Sequence, residues 1–565
     1  MKNQEIADIL YRIADILELQ EVEWKPQAYR KAARSLESLT TPVEDIYKRN
    51  GLKSLDEIPG IGLGISKKIE EFLKTGKIHE FEKLKKQMPR GFDDMMEIMG
   101  LGPKKIRVLY KKLNIKNIRD LQRAIKGKKI EKLYGFGERT EEKLSEGIEL
   151  FKKRRDRVLL GVAYPIAASL ADEIKKINPY GKVQVAGSLR RMLETIGDFD
   201  ILITTKNPAQ VVNKFVKLKD VKEILAKGQT KASVLLKNNM QCDIRVVPEE
   251  KYGSALQYFT GSKEHSIELR KIAIKKGCKL SEYGLFKGNK LAASRTEKEI
   301  YNKLGFPYIE PELRENRGEL KEKLPKLIDY DEINGDLHVH SNYSDGLNSI
   351  EEMVQAARKL NYKYIGITDH SRARAIANGL DDEKVLKQID EIRRLRAKLE
   401  DIKILHGMEI DIKANGDLDL SDSMLKKLDF GIASVHSSFN MDRNEMTSRI
   451  IKALSHEKIK IFGHPLSRLI NQRNSINIDF PRLFKHCADN NKFLEINSQP
   501  ERLDLNDINI KGGLKYKVKY VINTDSHNTN SLNWIKYGIA QARRGWCPAK
   551  NVINTLPLKE FLKKF

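Results

Sequence analysis

Cysteine is rare in this chain: 565 residues contain four, Cys242, Cys278, Cys487 and Cys547. They lie far apart and form no C-x-x-C pair, which argues against a disulfide framework or a zinc finger and fits a reducing compartment. Long apolar runs are missing too, and no signal-peptide pattern opens the chain, so neither a membrane span nor secretion is expected. Acidic residues fall short of basic ones, 78 against 104, leaving a formal net charge of +26. Apolar residues are plentiful, at 40%, and in a chain this long they supply several cores and hence several domains. The charge is uneven, with +18 before Asp336 and +8 from there on. Such an excess draws polyanions through counterion release, so nucleic acid is the expected partner of the N-terminal part. Solvated faces of lysine-rich helices are the competing explanation.

Residues 1–155 read as short amphipathic helices punctuated by a loose repeat. Its glycine pairs are Gly60/Gly62, Gly100/Gly102 and Gly135/Gly137, about 35 to 40 residues apart. In the first two copies, Ile58 to Ile69 and Ile98 to Ile106, a helix ends, glycines permit a tight hairpin, and a lysine-bearing helix begins. Such a turn aims backbone N–H groups at a phosphate, with Gly64, Lys104 and Lys105 on the same surfaces as DNA contacts. This resembles the helix-hairpin-helix motif. The third copy carries acidic residues where a phosphate would sit and is expected to pack rather than bind. Any single copy could equally be a helix C-cap.

From Val183 to Val247 the pattern turns to short β-rich runs that suit one sheet. Residues 248–318 return to helix and loop, and the charged stretch 313–326 reads as a link between domains. After Ile333 strand and helix alternate about seven times. Polar residues close the apolar runs there: His338 and His340, Asp369 and His370, His406 and Glu409, His436, His464, Asp525 and His527. Ligand-type residues at strand C-terminal ends argue for an α/β barrel, whose active face those ends form. Imidazole and carboxylate together suit zinc, manganese or iron.

A second constellation lies upstream. Gly187-Ser188 precedes Gly197-Asp198-Phe199-Asp200, and Asp243 follows forty-odd residues later. Asp198 and Asp200 share a strand face, Asp243 can lie on the neighbouring strand, and the three could hold two magnesium ions for phosphoryl transfer. Gly187 and Ser188 would cradle phosphate; aspartates that merely flank strands as turn residues are the bland alternative. Together with Tyr258-Phe259-Thr260-Gly261-Ser262 this set resembles the family X DNA polymerases, over residues 1–318.

The resemblance implies that Asp198, Asp200 and Asp243 are catalytic and bind two Mg2+ or Mn2+ ions, with Asp243 nearest the primer hydroxyl. It places Ser188, Arg191 and Gly197 at the incoming triphosphate, Tyr258, Phe259 and Gly261 at the sugar, and Arg270 at the template. Ser266 stands where the family commonly has asparagine, and Gln241 where vertebrate members have arginine. Both bear on efficiency and fidelity rather than reaction class. Tyr29 to Ala33 and the first hairpin resemble the family's deoxyribose-phosphate lyase domain, with Lys68 matching its Schiff-base lysine. Lys67 and Arg30 would depress the pKa of that amine. Gly64 replaces a helper lysine, and Lys68 could equally be a phosphate contact.

Asp336-Leu337-His338-Val339-His340, Asp345 and the later strand ends resemble a polymerase and histidinol phosphatase (PHP) domain over about Asp336 to Phe565. The resemblance implies up to three Mn2+, Zn2+ or Fe ions on His338, His340, Asp345, His370, Glu409, His436, His464, Asp525 and His527. It implies manganese-dependent 3'-5' exonuclease activity, with cleavage at abasic sites within its range. His79, His456 and His486 read as satisfied core histidines, and His406 as either a core residue or a support behind the ligands.

The expected architecture is therefore multidomain. A lyase-like helical domain (1–88) and a second helical subdomain (89–155) carry helix-hairpin-helix modules. An α+β nucleotidyltransferase palm (156–247), a nucleotide-selecting thumb (248–318), a linker (319–335) and a (β/α)7 barrel (336–565) follow. The chain is identified as a member of the bacterial or archaeal family X repair polymerases, cytoplasmic, nucleoid-associated and monomeric, with gapped or nicked duplex DNA and deoxynucleoside triphosphates as partners. Two rivals remain: a PHP-type phosphoesterase tethered to an inactive DNA-binding half, and a non-catalytic scaffold for DNA ends. The intact aspartate triad and ligand set argue against both.

Overall fold

A computed structural model describes residues 2–20, 22–37, 43–58, 60–86, 91–96, 98, 101–131, 133, 136–137, 140–145, 147–148, 157–372 and 377–565. It divides into two compact units, 1–155 and 156–565. Among the described residues of both, no helix is long and apolar enough to cross a membrane.

The first unit is helical where described. Lys2–Leu19 and Lys25–Glu37 repeat apolar residues at helical spacing, and their stripes, Leu10 and Ile13 against Ala33 and Leu36, close one small core. Gly62 is the N-cap of the helix Leu63–Thr75 and Gly102 that of Pro103–Leu113. Neither has a side-chain cap, so the first N–H groups of both helices are left for another acceptor. Gly60 stands at φ 87°, and a Cβ there would meet Lys31 at 2.9 Å, so the hairpin demands glycine. Gly100 and Gly135 lie outside the described residues.

The second unit opens with a five-stranded sheet. Its order is Val183–Val185, Asp198–Thr204, Gln241–Val247, Lys231–Leu236 and Val221–Lys227. The pair 198–204 and 241–247 is parallel and the other pairings are antiparallel. Alternation sends Phe199, Ile201, Cys242 and Ile244 into the core, which leaves the aspartates for the opposite face. Farther along that face Leu202 packs with Ala255 and Leu256 of the helix Tyr252–Thr260. The helix Lys263–Lys275 and a three-stranded antiparallel sheet, 278–293, follow.

Residues 335–565 form parallel strands flanked by helices. Gly335–Val339, Tyr364–Ile367 and Lys403–His406 make one sheet. Glu409–Asp411, Gly431–Ser434, Ile459–Phe462, Phe493–Asn497 and Lys519–Asn523 make another. Single parallel bridges connect the two sheets, Val339 to Ser526 and His370, just beyond the central strand Tyr364–Ile367, to Glu409; among the described residues the ladders do not close into the expected barrel. The strands are buried almost throughout, as parallel sheets covered by helices require. The stretch expected to link the domains, 319–335, is no free tether. Leu327 and Ile328 are buried, and the Ile328 N–H donates to the Cys547 carbonyl at 3.1 Å.

Candidate active sites

Parallel pairing sets Asp200 opposite Asp243 and Asp198 opposite Gln241. Burial, together with repulsion from Asp198 and Asp243, pushes Asp200 up to about 7. A carboxyl held toward its neutral form beside two others suits divalent cations, whose charge would restore its carboxylate form. Gly187 belongs to the same site: its φ is 61°, and a Cβ would stand 2.4 Å from Asp200 Oδ2, so a side chain would block the backbone's approach. The Ser188 hydroxyl is buried without a hydrogen-bond partner, which leaves it able to donate to a phosphate oxygen.

Beside the triad is a cleft of about 390 Å³. Gly187, Ser188, Arg191, Tyr258, Phe259, Gly261, Ser266 and Arg270 line it, as do Asp198 and Asp200. Gly197 sits in the turn entering the strand Asp198–Thr204. Arg157 and Lys263 also line the cleft and escaped the sequence reading. Lys263 had a signal, since it follows the Gly-Ser pair that starts a helix; Arg157 is 41 positions from Asp198 and had none. Arg191 is held on two sides: Nε donates to Glu315 Oε1 at 2.9 Å and Nη1 to the Thr260 carbonyl at 2.5 Å. The Ser266 hydroxyl is buried and unpartnered, and its carbonyl accepts from Arg270 Nε at 3.1 Å.

Gln241 has a definite place in this site. Its Nε2 donates to Asp243 Oδ2 at 2.9 Å and to Ser233 Oγ at 3.1 Å, clamping the third aspartate. Partners that orient a metal-binding carboxylate are typically worth about 10- to 100-fold in activity. Gln241→Ala is therefore expected to slow nucleotide addition by roughly tenfold, checked by single-turnover extension with magnesium. A rate equal to that of the unaltered protein would show the clamp to be idle.

The nine residues expected in the PHP section fall into three groups whose ligand atoms lie within 4.8 Å of one another. These are His340, Asp345, His370 and His527; His338, His340 and Asp525; and Glu409, His436 and His464. Glu409 sits at the junction, 2.7 Å from His370 Nδ1, 2.8 Å from His464 Nε2 and 3.4 Å from His436 Nε2. Burial, with His527 and His370 close by, lowers His340 to about 4, and burial chiefly lowers His464 to the same value; both are neutral imidazoles, the form that ligates. His338 Nε2 and both ring nitrogens of His340 are buried with no hydrogen-bond partner. Unpartnered imidazole nitrogens facing carboxylates are a donor set for transition metals.

The groups that orient these ligands were missed in part. Glu495 accepts from His338 Nδ1 at 2.7 Å and Asp411 pairs with His436 Nδ1. Asp411 closes its strand, so the rule that found the ligands could have found it; Glu495 is the middle residue of Phe493–Asn497, where that rule does not look. Asp369 is no ligand: it accepts from Ser341, Ser344 and Gln388, and His406 Nε2 in turn meets Gln388 Oε1 at 2.9 Å. The histidines read as core residues are not core. His79 is exposed and pairs with Glu71, His456 sits in the turn beyond its helix and meets Asp422 at 2.8 Å, and His486 is half-buried on a helix.

Family models agree with this geometry along the chain. A helix-hairpin-helix domain matches residues 1–78, a tandem of the same motif 92–149, the DNA polymerase beta palm 163–273, its thumb 255–315 and the PHP domain 336–499. DNA polymerase/3'-5' exonuclease PolX of Bacillus subtilis (strain 168) is 37% identical over the whole of both chains. This chain belongs to the PolX family. Rat DNA polymerase lambda is 25% identical over 55% of this chain and 56% of its own length. A probable phosphatase of Thermoanaerobacter sp. (strain X514) is 29% identical over 40% of this PolX-family chain and 94% of itself.

In the first unit of the PolX-family chain, Gly62, Gly64 and Gly102 face open space. Lys104 is exposed and 3.8 Å from Glu18, and Lys105 lies 5.9 Å from the Phe136 ring centre. Lys68 differs from expectation. Burial acts to lower it, but the hydrogen bond to Glu80, at 2.8 Å, and the Tyr29 hydroxyl outweigh burial and hold it above the ordinary lysine range. Of the two cations expected to depress it, Arg30 is engaged elsewhere, by Asp15 at 2.8 Å and Glu18 at 2.5 Å. An amine that must lose its proton to attack is thus stabilised as an ammonium.

Proposed function

We propose that the chain fills short gaps in damaged duplex DNA by nucleotidyl transfer and trims 3' ends at its PHP site. The observation that carries this reading is the pair of sites within one compact unit: an aspartate triad at a nucleotide-sized cleft, and three interlocked ligand groups. In the first, Asp198, Asp200 and Asp243 would hold two Mg2+ or Mn2+ ions. Bound there, such ions supply Lewis-acid activation of the primer hydroxyl and neutralise the triphosphate. The chain's own residues do the positioning. Ser188 donates to a phosphate oxygen, Arg191, Lys263 and Arg270 place positive charge along the cleft, and Tyr258 and Phe259 flank the sugar. A bond forms between the primer 3' oxygen and the α-phosphorus, and pyrophosphate leaves. Lys231 and Arg245, in a second hollow of about 320 Å³ beside Asp200 and Asp243, are placed for the primer backbone.

In the PHP section the nine ligands would hold up to three Mn2+, Zn2+ or Fe ions, which supply hydrolytic activation of water. Glu495 and Asp411 fix the tautomers and orientation of His338 and His436. Water adds to the terminal phosphodiester and the 3' oxygen departs. Lys68, charged and paired with Glu80, reads better as a contact to backbone phosphate than as a lyase nucleophile. The two hairpins hold the duplex through N–H groups and lysines, without reading sequence. A monomer is sufficient for this.

The test is a labelled primer on a short-gap duplex with manganese, with and without deoxynucleotides. Gap filling with nucleotides and shortening without them are expected. Shortening alone would reduce the chain to a tethered phosphoesterase, and salt-sensitive binding without turnover would make it a scaffold.

A further inference from the structure

The helix Ile535–Arg544 belongs to the PHP section in sequence, yet it and the turn that follows it are shared by three cores. Ile539 and Ala542 pack with the parallel sheets, Tyr537 and Ala540 with the sheet that bears the aspartates, and Trp546, two residues past its end, with the Leu269–Tyr301 core of the thumb. Polar contacts lock the same junction: Gln541 Nε2 donates to Glu194 at 2.9 Å, Arg468 Nη2 meets the same Glu194 oxygen at 2.5 Å, and Arg543 meets Glu312 at 2.7 Å.

Arg544 closes that helix and is buried. Its Nη1 donates to the Arg191 carbonyl at 2.9 Å and to Glu315 Oε1 at 3.0 Å, and its Nη2 to Asp507 Oδ2 at 2.6 Å. The same Glu315 oxygen accepts from Arg191 Nε. Arg544 therefore anchors Arg191 twice, at the backbone and, through a shared carboxylate, at the guanidinium that lines the nucleotide cleft. We infer that Arg544 is a positioning residue for nucleotide binding, so that polymerisation depends on a side chain of the PHP section that lies outside the nine-ligand set. This rests on the reading of Arg191 as a triphosphate contact.

The physical reason is preorganisation. An arginine fork aimed by fixed partners loses less freedom when it meets phosphate than one that must be ordered by the ligand. Arg544→Gln removes the anchor without stranding an acid, because Arg317 still pairs with Asp507 at 2.7 Å and Arg191 with Glu315. Its effect on catalysis is expected in nucleotide binding rather than in chemistry.

The experiment measures gap filling by the full chain against deoxynucleotide concentration for R544Q, R191Q and the double variant, with exonuclease rate and thermal melting as folding controls. R544Q is expected to raise the nucleotide KM about tenfold, as loss of a charge-assisted hydrogen bond would, with kcat much less affected. R191Q should raise KM at least as much, and the double variant should be no worse than R191Q, because the two act in series. An unchanged KM in R544Q beside a raised one in R191Q overturns the inference and spares the reading of Arg191. An unchanged KM in R191Q overturns both, and strictly additive effects overturn the inference. Glu315→Ala, which removes the shared acceptor while Arg544 keeps Asp507, must reproduce the KM rise; failure to do so overturns the inference even if R544Q melts.

Discussion

Asp243→Ala is expected to abolish nucleotide addition while leaving 3' trimming and DNA affinity nearly intact. Asp243 lies directly across the parallel pair from Asp200, and its carboxylate is clamped by Gln241, so on the proposed two-metal reading its removal takes away a metal ligand and leaves the phosphate-facing groups in place. Metal-borne stabilisation of a phosphoryl transition state is worth several kcal/mol, which corresponds to a loss on the order of 10³ in rate. Single-turnover extension of a gapped primer reads the first effect, and manganese-dependent shortening with a binding titration reads the rest. Unchanged extension would mean that the triad is not the palm's metal site. Loss of all three properties would mean that the substitution unfolds the second unit.

His340→Ala is expected to remove nuclease activity and spare synthesis. His340 belongs to two of the three candidate ligand groups, so on the proposed reading one substitution impairs two of them at once. It also lies against the His527 ring, with centroids 4.2 Å apart, and its Nε2 is 3.1 Å from Asp525. A fall of roughly 10³ in the shortening rate follows from the same several kcal/mol of metal-borne stabilisation. The check is the time course of primer loss with manganese, paired with extension by the same preparation. Retained shortening would move the hydrolytic centre elsewhere. Equal loss of synthesis would show that the ligand cluster itself, and not only the junction at Arg544, supports the palm.

Much of both sites was legible before folding because their signals are local. Strand alternation puts Asp198 and Asp200 on one face, and the C-terminal ends of parallel strands collect His338, His340, Glu409 and Asp525 whatever the packing between them. The charge state of Lys68 was hidden for the opposite reason. Its proton affinity is raised against burial by Glu80 and Tyr29, which are 12 and 39 positions away in the chain, so the adjacent Lys67 was a poor guide. The linker at 319–335 shows the same limit: its charges suggested a stretch between domains, while Leu327 and Ile328 found a core that only the fold supplies.

By itself, then, the sequence determined the residue types that can do phosphoryl chemistry, the period that brings them to strand ends, and the family they imply. Only the tertiary structure decided which cations are already neutralised, which carboxylates stand behind the ligands, and that Arg544 reaches Arg191 across 353 residues of chain. Ligand identity and strand period are properties of a few neighbouring residues, whereas charge state, burial and buttressing depend on groups that chain folding alone brings together.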